Sequence, residues 1–142
     1  MITGGCLCGA VRYEAERKPL FAVLCHCRDC QRASGSGHVP VMGVPKSSFK
    51  VSGQTNSYAL PGGSGLKSIR HFCPTCGSLL FGTPEAAPDA VSIYVGSLDD
   101  LSVFQPEAVI FKRSRQSWDQ TLGSLPEFDA LPAAPPPMGA KD

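Results

Sequence analysis

Seven cysteines are the residues of this sequence whose type and spacing are suited to chemistry. They lie in three clusters: Gly5-Cys6-Leu7-Cys8-Gly9, Cys25-His26-Cys27-Arg28-Asp29-Cys30 and Cys73-Pro74-Thr75-Cys76-Gly77. Thiolate sulfur is a preferred ligand of tetrahedral zinc. A CxxC turn can direct two sulfurs at one ion, and in an extended CxC residues i and i+2 face the same side. The spacing therefore predicts metal sites rather than cysteines packed singly in a core.

Two partitions of these cysteines are compatible with the spacing. In the first, the outer clusters together close a four-thiolate structural site, and the central cluster forms a three-thiolate site with one open position. An open position that takes water or substrate is typical of a reactive zinc. In the second, the CxxC of the central cluster joins Cys73 and Cys76 in a zinc-ribbon site, which leaves Cys6, Cys8 and Cys25 over. Spacing alone does not decide between the two.

The two kinds of site differ in charge and therefore in chemistry. Four thiolates around Zn²⁺ leave a double negative charge, which needs nearby donors such as the backbone N–H groups of Gly9 and Gly77. An open zinc can hold a substrate thiol as thiolate, the nucleophilic form, which would attack an aldehyde carbon. Three thiolates already leave one negative charge, so thiolate chemistry is favoured here over Lewis-acid activation of a carbonyl.

Polar residues beside the central cluster are candidates for substrate contacts. Ser34, Gly35 and Ser36 could present backbone N–H groups to an anionic substrate or cofactor, with a turn into the next strand as the alternative. His26 is expected to face away from its neighbouring cysteines and to orient them rather than to bind zinc. Arg28 and Asp29 are either a supporting pair or a solvated turn.

The remaining histidines and the residues after the last predicted strand have simpler interpretations. His38 and His71 are isolated and are expected to be hydrogen-bonded structural residues. Trp118, the only tryptophan, is expected to anchor the C-terminal segment on the core, with a pocket wall as the alternative. A basic group is expected to be a solvated strand end, with binding of substrate carboxylates as the alternative: Lys112, Arg113 and Arg115.

Composition excludes several classes of function. The net charge is +1 over 142 residues and neither half has a basic run, so we expect neither a nucleic-acid partner nor a membrane surface. The N-terminus lacks a signal-peptide pattern, and no window approaches the roughly 20 apolar residues of a membrane span. We therefore expect a cytoplasmic protein with reduced thiols. Composition makes no prediction of oligomeric state.

The elements that must position these cysteines are mostly strands. Short apolar or alternating windows separated by turn residues predict an antiparallel β architecture of one or two sheets with little helix. Turns are predicted at Gly53, at Pro61-Gly62-Gly63 and at Thr83-Pro84. The predicted strands are 11–14, 20–24, 38–44, 49–52, 56–60, 66–72, 78–81, 91–95 and 108–111.

One helical turn and a tail complete the predicted organisation. The best helical window is 29–33, directly after the central cysteines. We expect residues 1–130 to form a single zinc-binding β domain. Residues 131–142 are rich in proline and alanine and are predicted to be a flexible tail, because consecutive prolines cannot join a sheet.

The cysteine motifs resemble those of a known family. Gly4-Gly5-Cys6-Leu7-Cys8-Gly9-Ala10-Val11-Arg12-Tyr13 and Cys25-His26-Cys27-Arg28-Asp29-Cys30-Gln31-Arg32-Ala33-Ser34-Gly35 resemble the glutathione-dependent formaldehyde-activating enzyme (GFA) family. Phe72-Cys73-Pro74-Thr75-Cys76-Gly77-Ser78-Leu79-Leu80-Phe81 and Val95-Gly96-Ser97-Leu98-Asp99-Asp100 continue the match in order, over roughly 4–118. The zinc domain of this family is also that of centromere protein V.

The resemblance implies a β-tent fold, in which small antiparallel sheets are joined by zinc-cysteine knuckles, with up to two Zn²⁺ per chain. It places the structural zinc on Cys6, Cys8, Cys73 and Cys76, and the catalytic zinc on Cys25, Cys27 and Cys30, which favours the first partition.

The activity implied by the resemblance is a carbon–sulfur lyase that joins formaldehyde to glutathione and gives S-(hydroxymethyl)glutathione. The first hypothesis is thus a zinc-dependent enzyme acting on a thiol adduct, with glutathione as co-substrate and formaldehyde or another aldehyde as its partner. The second is a non-catalytic zinc-binding module. The third is a redox- or zinc-responsive protein whose three-thiolate cluster is the functional group.

Overall fold

The computed structural model describes residues 1–61, 65–121 and 123–133, and over these ranges the chain is mainly β, as predicted. Gly62, Gly63 and residues 134–142 of the predicted tail lie outside the described residues. The strands and the α-helix are β1 (Ile2–Gly5), β2 (Arg12–Ala15), β3 (Phe21–Cys25), α1 (Arg28–Ser34), β4 (Val39–Pro45), β5 (Lys50–Ser52), β6 (Asn56–Pro61), β7 (Lys67–Phe72), β8 (Leu79–Pro84), β9 (Ala90–Tyr94) and β10 (Ala108–Ile110). Short 3-10 helices cover Lys46–Ser48, Val95–Ser97, Leu101–Val103 and Lys112–Ser114.

The strands form two sheets. A three-stranded antiparallel sheet has the order β1-β2-β5, and a seven-stranded sheet has the order β10-β3-β4-β9-β8-β7-β6. All pairs of the large sheet are antiparallel except β10 with β3, which is parallel and aligns Ile110 with Cys25. The predicted antiparallel architecture is confirmed apart from this one parallel pair, which forms because β10 reaches the edge of the sheet through a long connection rather than a hairpin.

The large sheet separates two apolar cores. Successive side chains of a strand point to opposite faces. On β4, Val39 and Val41 accordingly pack into one core, whereas Met42 and Val44 pack into the other. The strand is therefore apolar on both faces, which is why its sequence reads as a continuous apolar run.

Each core contains one of the cysteine groups. Cys6 and Cys73 belong to the core between the two sheets, together with Tyr13 and Leu80. Cys25 and Cys30 belong to the core on the opposite face, with Tyr94, Ala108 and other residues of β3, β4 and β10. The large sheet thus keeps the two groups on different faces. Within the described ranges, none of the helices has the length and apolar character that a membrane crossing needs.

Candidate metal centres

The outer cysteine clusters meet in one four-sulfur group. The Sγ atoms of Cys6, Cys8, Cys73 and Cys76 lie within 4.8 Å of one another. Cys8 Sγ is 3.6 Å from Cys6 Sγ and 3.8 Å from Cys73 Sγ. Tetrahedral zinc with Zn–S bonds of ~2.3 Å requires sulfurs about 3.8 Å apart, so the donor set and its spacing fit a zinc ion.

Two glycine-terminated turns build this group. Gly9 and Gly77 adopt positive φ angles of 80° and 75°, which side chains with a Cβ disfavour. Their N–H groups donate to the carbonyl oxygens of Cys6 and Cys73, at 3.1 and 2.9 Å. The expectation that these two N–H groups stabilise the sulfurs is therefore wrong. The sulfurs instead accept from the backbone N–H of Val11, 3.2 Å from Cys6 Sγ, and from other backbone groups of the turns.

The thiols of this group share protons when no metal is bound. The Ser78 hydroxyl, 3.2 Å from Cys76 Sγ, and then the Ser78 backbone N–H lower the pKa of Cys76 to about 5. The backbone N–H of Ala10 lowers the pKa of Cys8. The neighbouring Cys6 thiol and burial act in the opposite direction, and together with the other cysteines they raise this pKa to about 11. Metal binding must displace the remaining protons, so the affinity of this group rises with pH.

The central cluster forms a separate three-sulfur group. The Sγ atoms of Cys25, Cys27 and Cys30 lie within 4.8 Å of one another. Cys25 is the last residue of β3, Cys27 is the N-cap of α1 and accepts from the Cys30 N–H at 3.3 Å, and Cys30 lies in the first helical turn. Among the described residues no further Cys, His, Asp or Glu side chain joins this group. The structure thus brings the cysteines together as four plus three, and the zinc-ribbon grouping is not formed.

An arginine from another strand contacts the three-sulfur group. Arg70 on β7 is 9% exposed; its Nη2 lies 3.4 Å from Cys30 Sγ, and its Nη1 lies 3.3 Å from the Tyr94 hydroxyl. The pKa of Cys27 is well below its ordinary value, because the Cys25 and Cys30 thiols donate to it and Arg70 adds a positive charge. The same contacts with Cys27 and Cys30 raise the pKa of Cys25. The Cys27 thiolate therefore persists near neutral pH even without a metal, held by its two thiol neighbours and by the charge of Arg70.

The three-sulfur group lies at a cavity of about 280 Å³. Arg70 and Tyr94 line it beside the sulfurs, and Lys67, the exposed first residue of β7, is also part of the lining. The other walls are mostly apolar and come from β3, β4, the end of β6, the 84–87 turn and the C-terminal segment: Phe21, Val23, Val41, Leu60, Pro84, Ala86, Ala87, Leu131, Pro132 and Ala133. A small apolar cavity with a few convergent polar groups is the usual form of a small-molecule site.

Several predicted substrate contacts are not brought to this cavity. Ser34, Gly35 and Ser36 lie at the opposite end of α1, where Gly35 is the C-cap with φ of 70° and Ser34 Oγ donates to the Cys30 carbonyl at 2.8 Å. The cavity lining does not include them. Their role in binding a substrate stays a prediction.

The basic residues after β10 form a charged strand end. Lys112 lies 3.6 Å from Glu127, and Arg115 also pairs with Glu127. Arg113 lies over the ring of Phe111 at 5.7 Å. These contacts fit the interpretation as a paired, solvated strand end rather than a substrate contact, since the cavity lining includes none of the three basic residues.

The remaining predicted residues have other partners. Arg28 donates to Gln31 rather than pairing with Asp29. His71 stacks on Phe81 and faces the Thr83 hydroxyl at 3.4 Å. Trp118 is 72% exposed and is not part of the cavity wall.

His26 faces away from the cysteines, as expected, and meets His38 and Asp119. His38 Nδ1 is 2.7 Å from Asp119 Oδ2, so the prediction of a hydrogen-bonded histidine is confirmed for His38. Asp119 was not a predicted site residue.

Sequence reasoning also misses Arg70, Tyr94 and Lys67. The signal for Arg70 lies in strand periodicity: it shares a face of β7 with Ser68 and Phe72, which are partly buried, so a charged residue there must find a partner inside the protein. Nothing in the sequence says that this partner is the central cluster, 40 residues earlier.

Comparisons with known proteins agree with this arrangement. A model of the family described as glutathione-dependent formaldehyde-activating enzyme matches residues 1–114. The chain is also similar to a crystal structure of a Rhodobacter sphaeroides protein, solved as a structural genomics target. That similarity has a TM-score of 0.56 and 24% sequence identity, and covers 88% of this chain and 98% of the other. At this identity it shows the fold alone.

Proposed function

This chain belongs to the glutathione-dependent formaldehyde-activating enzyme family, and we propose that it is a zinc-dependent, carbon–sulfur lyase-like enzyme that joins a thiol to an aldehyde. The observation that carries the proposal is the cavity with the Cys25, Cys27 and Cys30 sulfurs in its wall. The leading thiol is glutathione, and the leading aldehyde is formaldehyde. The two metal groups would hold up to two Zn²⁺, the four-sulfur group serving the fold and the three-sulfur group the reaction.

The three-sulfur group fits a reactive zinc by its donor set. A zinc ion bound there supplies one open position at which a substrate thiol is held as thiolate. Arg70 offsets the single negative charge that three thiolates and Zn²⁺ leave, because its guanidinium lies against Cys30 Sγ. The mostly apolar walls lower the polarity around these charges, which strengthens their attraction.

Substrate recognition would rest on a cation at the edge of the cavity. Glutathione carries two carboxylates at a distance from its thiol. Lys67, the exposed first residue of β7, is part of the cavity lining and would meet such a carboxylate, whereas Arg70 is buried against the sulfurs. The aldehyde would occupy the apolar part of the cavity, beside Phe21 and Val41.

The reaction forms one S–C bond and moves one proton. The sulfur electron pair attacks the aldehyde carbon, the carbonyl π pair goes to oxygen, and that oxygen takes a proton to give the hydroxymethyl thioether. The Tyr94 hydroxyl is the proposed proton donor: burial raises the pKa of Tyr94, so it stays protonated, and it accepts from Arg70, which leaves its own proton for the cavity. The thiol proton leaves to solvent and Tyr94 regains a proton from solvent, so that the net change is the transfer of one proton from the thiol to the new hydroxyl.

The first test is the zinc content per chain by native mass spectrometry, with and without glutathione. We expect about two zinc ions, and a glutathione adduct only when the second is present. Cys27→Ser should lose the second zinc and the adduct, whereas Ser57→Ala, at an exposed position of β6 outside the cavity lining, should keep both. A single zinc and no adduct in the wild type would contradict the proposed enzymatic activity and favour a non-catalytic zinc-binding module.

The second test is the rate of S-(hydroxymethyl)glutathione formation by exchange NMR with ¹³C-formaldehyde. Tyr94→Phe should lower kcat by about 10²-fold or more with little change of KM or zinc content. An unchanged kcat would remove Tyr94 from the proposal. Zinc release with a disulfide among the central cysteines under mild oxidation, without any turnover by the wild type, would instead support a redox- or zinc-responsive protein.

A further inference from the structure

His26, His38 and Asp119 form a third group of ligating side chains, separate from both cysteine groups. One ligand atom from each lies within 4.8 Å of the others. Asp119 Oδ2 is 2.7 Å from His38 Nδ1 and 3.5 Å from His26 Nδ1. The two imidazole rings are 4.8 Å apart between centroids. Two imidazole nitrogens and one carboxylate oxygen thus converge on one point.

His26 is the unusual member of this group. It is 1% exposed, and neither of its ring nitrogens has a hydrogen-bond partner among the residues that the structure describes. A buried polar group without a partner costs roughly 1–3 kcal/mol, so such groups are rare unless something fills the vacant interaction. Its Nδ1 faces Asp119 at 3.5 Å, too long for a good hydrogen bond but close to the edge of a tetrahedron with metal–ligand bonds of ~2.1 Å.

The backbone is adapted to hold the carboxylate in this place. A Cβ at Gly37 would lie 2.3 Å from Asp119 Oδ2 and 2.8 Å from the Trp118 ring. Glycine at position 37 therefore permits the close approach of the 118–119 segment to the start of β4. This contact explains why Trp118, although largely exposed, lies against the domain.

The charges around the group do not repel a cation. The nearest other charged residues acting on His26 are Arg115 and Glu127, which pair with each other.

We propose that His26, His38 and Asp119 are a metal site for a divalent first-row transition ion, distinct from the two thiolate groups. Imidazole nitrogen with one carboxylate oxygen suits Zn²⁺, Co²⁺ and Fe²⁺ rather than Mg²⁺ or Ca²⁺. His38 is 28% exposed in its side chain and gives solvent access to the remaining coordination positions.

An ion at this site would tie three segments together. His26 follows β3, His38 precedes β4 and Asp119 lies in the C-terminal segment. His26 also lies between Cys25 and Cys27, so an ion that fixes its ring holds the loop that carries the central sulfurs. The site therefore acts as a brace for the three-sulfur group and supplies no ligand to it.

The test is a titration with Co²⁺ of tag-free protein loaded with two equivalents of zinc, which fill the two thiolate groups and leave the third group free. Zinc binds thiolates more tightly than cobalt, so the cysteine groups keep their zinc. The wild type should bind about one Co²⁺ per chain, with weak visible d–d bands, no sulfur-to-cobalt charge-transfer band and a rise in Tm. Asp119→Asn and His38→Gln should each weaken this binding by roughly tenfold or more, by analogy with losses at metal sites.

His71→Gln is the matched control, because His71 is also partly buried but has Thr83 rather than a carboxylate as its polar neighbour. It should bind Co²⁺ as the wild type does. Absence of Co²⁺ binding by the folded wild type overturns the proposal, as does equal binding by the Asp119 and His38 variants. A charge-transfer band that is unchanged in Asp119→Asn would place the cobalt on cysteine and overturn it too. Co²⁺ binding by the wild type tests the proposal without any variant, so the test is decisive even if a variant fails to fold.

Discussion

Arg70 is the side chain that contacts both the three-sulfur group and the cavity. It contacts Cys30 Sγ and the Tyr94 hydroxyl, and it lines the cavity. A buried guanidinium is costly unless its charge is paired. Here the partner is the negative charge of the thiolate group, so each charge lowers the free-energy cost of burying the other.

Replacement of Arg70 by Gln should weaken zinc binding at the three-sulfur group by about 10–100-fold, because the thiolates lose their compensating cation. Arg70→Lys should retain most of the affinity, since the charge remains. Competition with a chromophoric chelator measures the two zinc affinities separately. Arg113→Gln removes an exposed cation outside the cavity and is the control. Equal zinc affinities in Arg70→Gln and the wild type would show that charge compensation is not the role of Arg70.

The ion pair of Arg12 and Asp99 gives a pH-dependent contribution to stability. Arg12 Nη1 donates to Asp99 Oδ1 at 3.0 Å and Thr3 Oγ1 donates to Asp99 Oδ2 at 2.7 Å, and these donors lower the pKa of Asp99. A carboxyl whose pKa is lower in the folded state stabilises the fold above its unfolded pKa, and this contribution disappears as the pH falls through the folded value.

Asp99→Asn should therefore lower the free energy of unfolding slightly at pH 7. The difference from the wild type should begin to shrink below about pH 4, the unfolded pKa, and vanish once the pH is below the lower pKa of the folded state. The effect is small because both side chains are nearly half exposed. Urea unfolding of the wild type, both single variants and the Arg12→Gln/Asp99→Asn double variant at each pH isolates the pair from the acid lability of the metal groups. A difference that persists at low pH would mean that Asp99 acts through packing instead.

At the scale of residues, the sequence identifies the groups whose members lie close together along the chain. All seven cysteines fall in the predicted sets, because CxC and CxxC are short-range patterns. Arg70, Tyr94 and Asp119 are recognisable only through contacts 24 to 93 residues away in sequence, which follow from the pairing of strands and are not encoded by any neighbouring residue.

At the scale of elements, strand β1 is absent from the predicted strands because local strand propensity disfavours its sequence. Its sequence is Ile-Thr-Gly-Gly, and two glycines argue against a strand. The structure needs glycine there, because a Cβ at Gly4 would lie 2.2 Å from the Tyr13 hydroxyl and 2.4 Å from the Ser97 carbonyl. Most other strands were predicted to within one to three residues, since apolar runs and turn residues are local signals.

The four-sulfur group joins the two sheets. Cys6 and Cys8 lie between β1 and β2 of the small sheet, and Cys73 and Cys76 lie between β7 and β8 of the large sheet. A metal bound to all four therefore cross-links the two sheets. The three-sulfur group, by contrast, joins β3 to the helix that follows it directly.

Cys8→Ser should therefore destabilise the zinc-loaded protein much more than Cys27→Ser. Cys8 is exposed, so the substitution itself costs little packing, and the loss reports on the metal cross-link. Each kcal/mol should shift Tm by roughly 2–8 °C for domains of this size range. Differential scanning calorimetry with zinc measures the difference, and excess chelator should bring the variant and the wild type together. Equal Tm losses for the two variants would contradict the division into a structural and a reactive group.

At the scale of the whole molecule, the last segment belongs to the site although it lies beyond the family match, which ends at residue 114. Phe128 N–H donates to the Val109 carbonyl, and Lys112 N–H to the Phe128 carbonyl, so this segment runs along β10. Leu131, Pro132 and Ala133 then form part of the cavity wall. These three lining residues follow directly after the predicted domain boundary at residue 130; that boundary and the flexibility of the tail stay predictions.

A pair of truncations tests whether these three residues belong to the site. A chain that ends at Ala133 should bind glutathione as the full chain does, because only the proline-rich residues after it are lost. A chain that ends at Ala130 loses the apolar wall as well, and its affinity for glutathione should fall by roughly tenfold, on the scale of about 1.4 kcal/mol for a partly buried leucine and its neighbours.

Calorimetric titration of both zinc-loaded chains with glutathione measures this difference, and thermal unfolding serves as the control. Pairing of 126–130 with β10 is retained in both chains, so their Tm values should agree. Equal affinities would show that glutathione does not reach the 131–133 wall and binds nearer to Lys67. Loss of binding in the chain that ends at Ala133 would instead assign part of the site to residues 134–142, against the interpretation of the proline-rich segment as a dispensable tail.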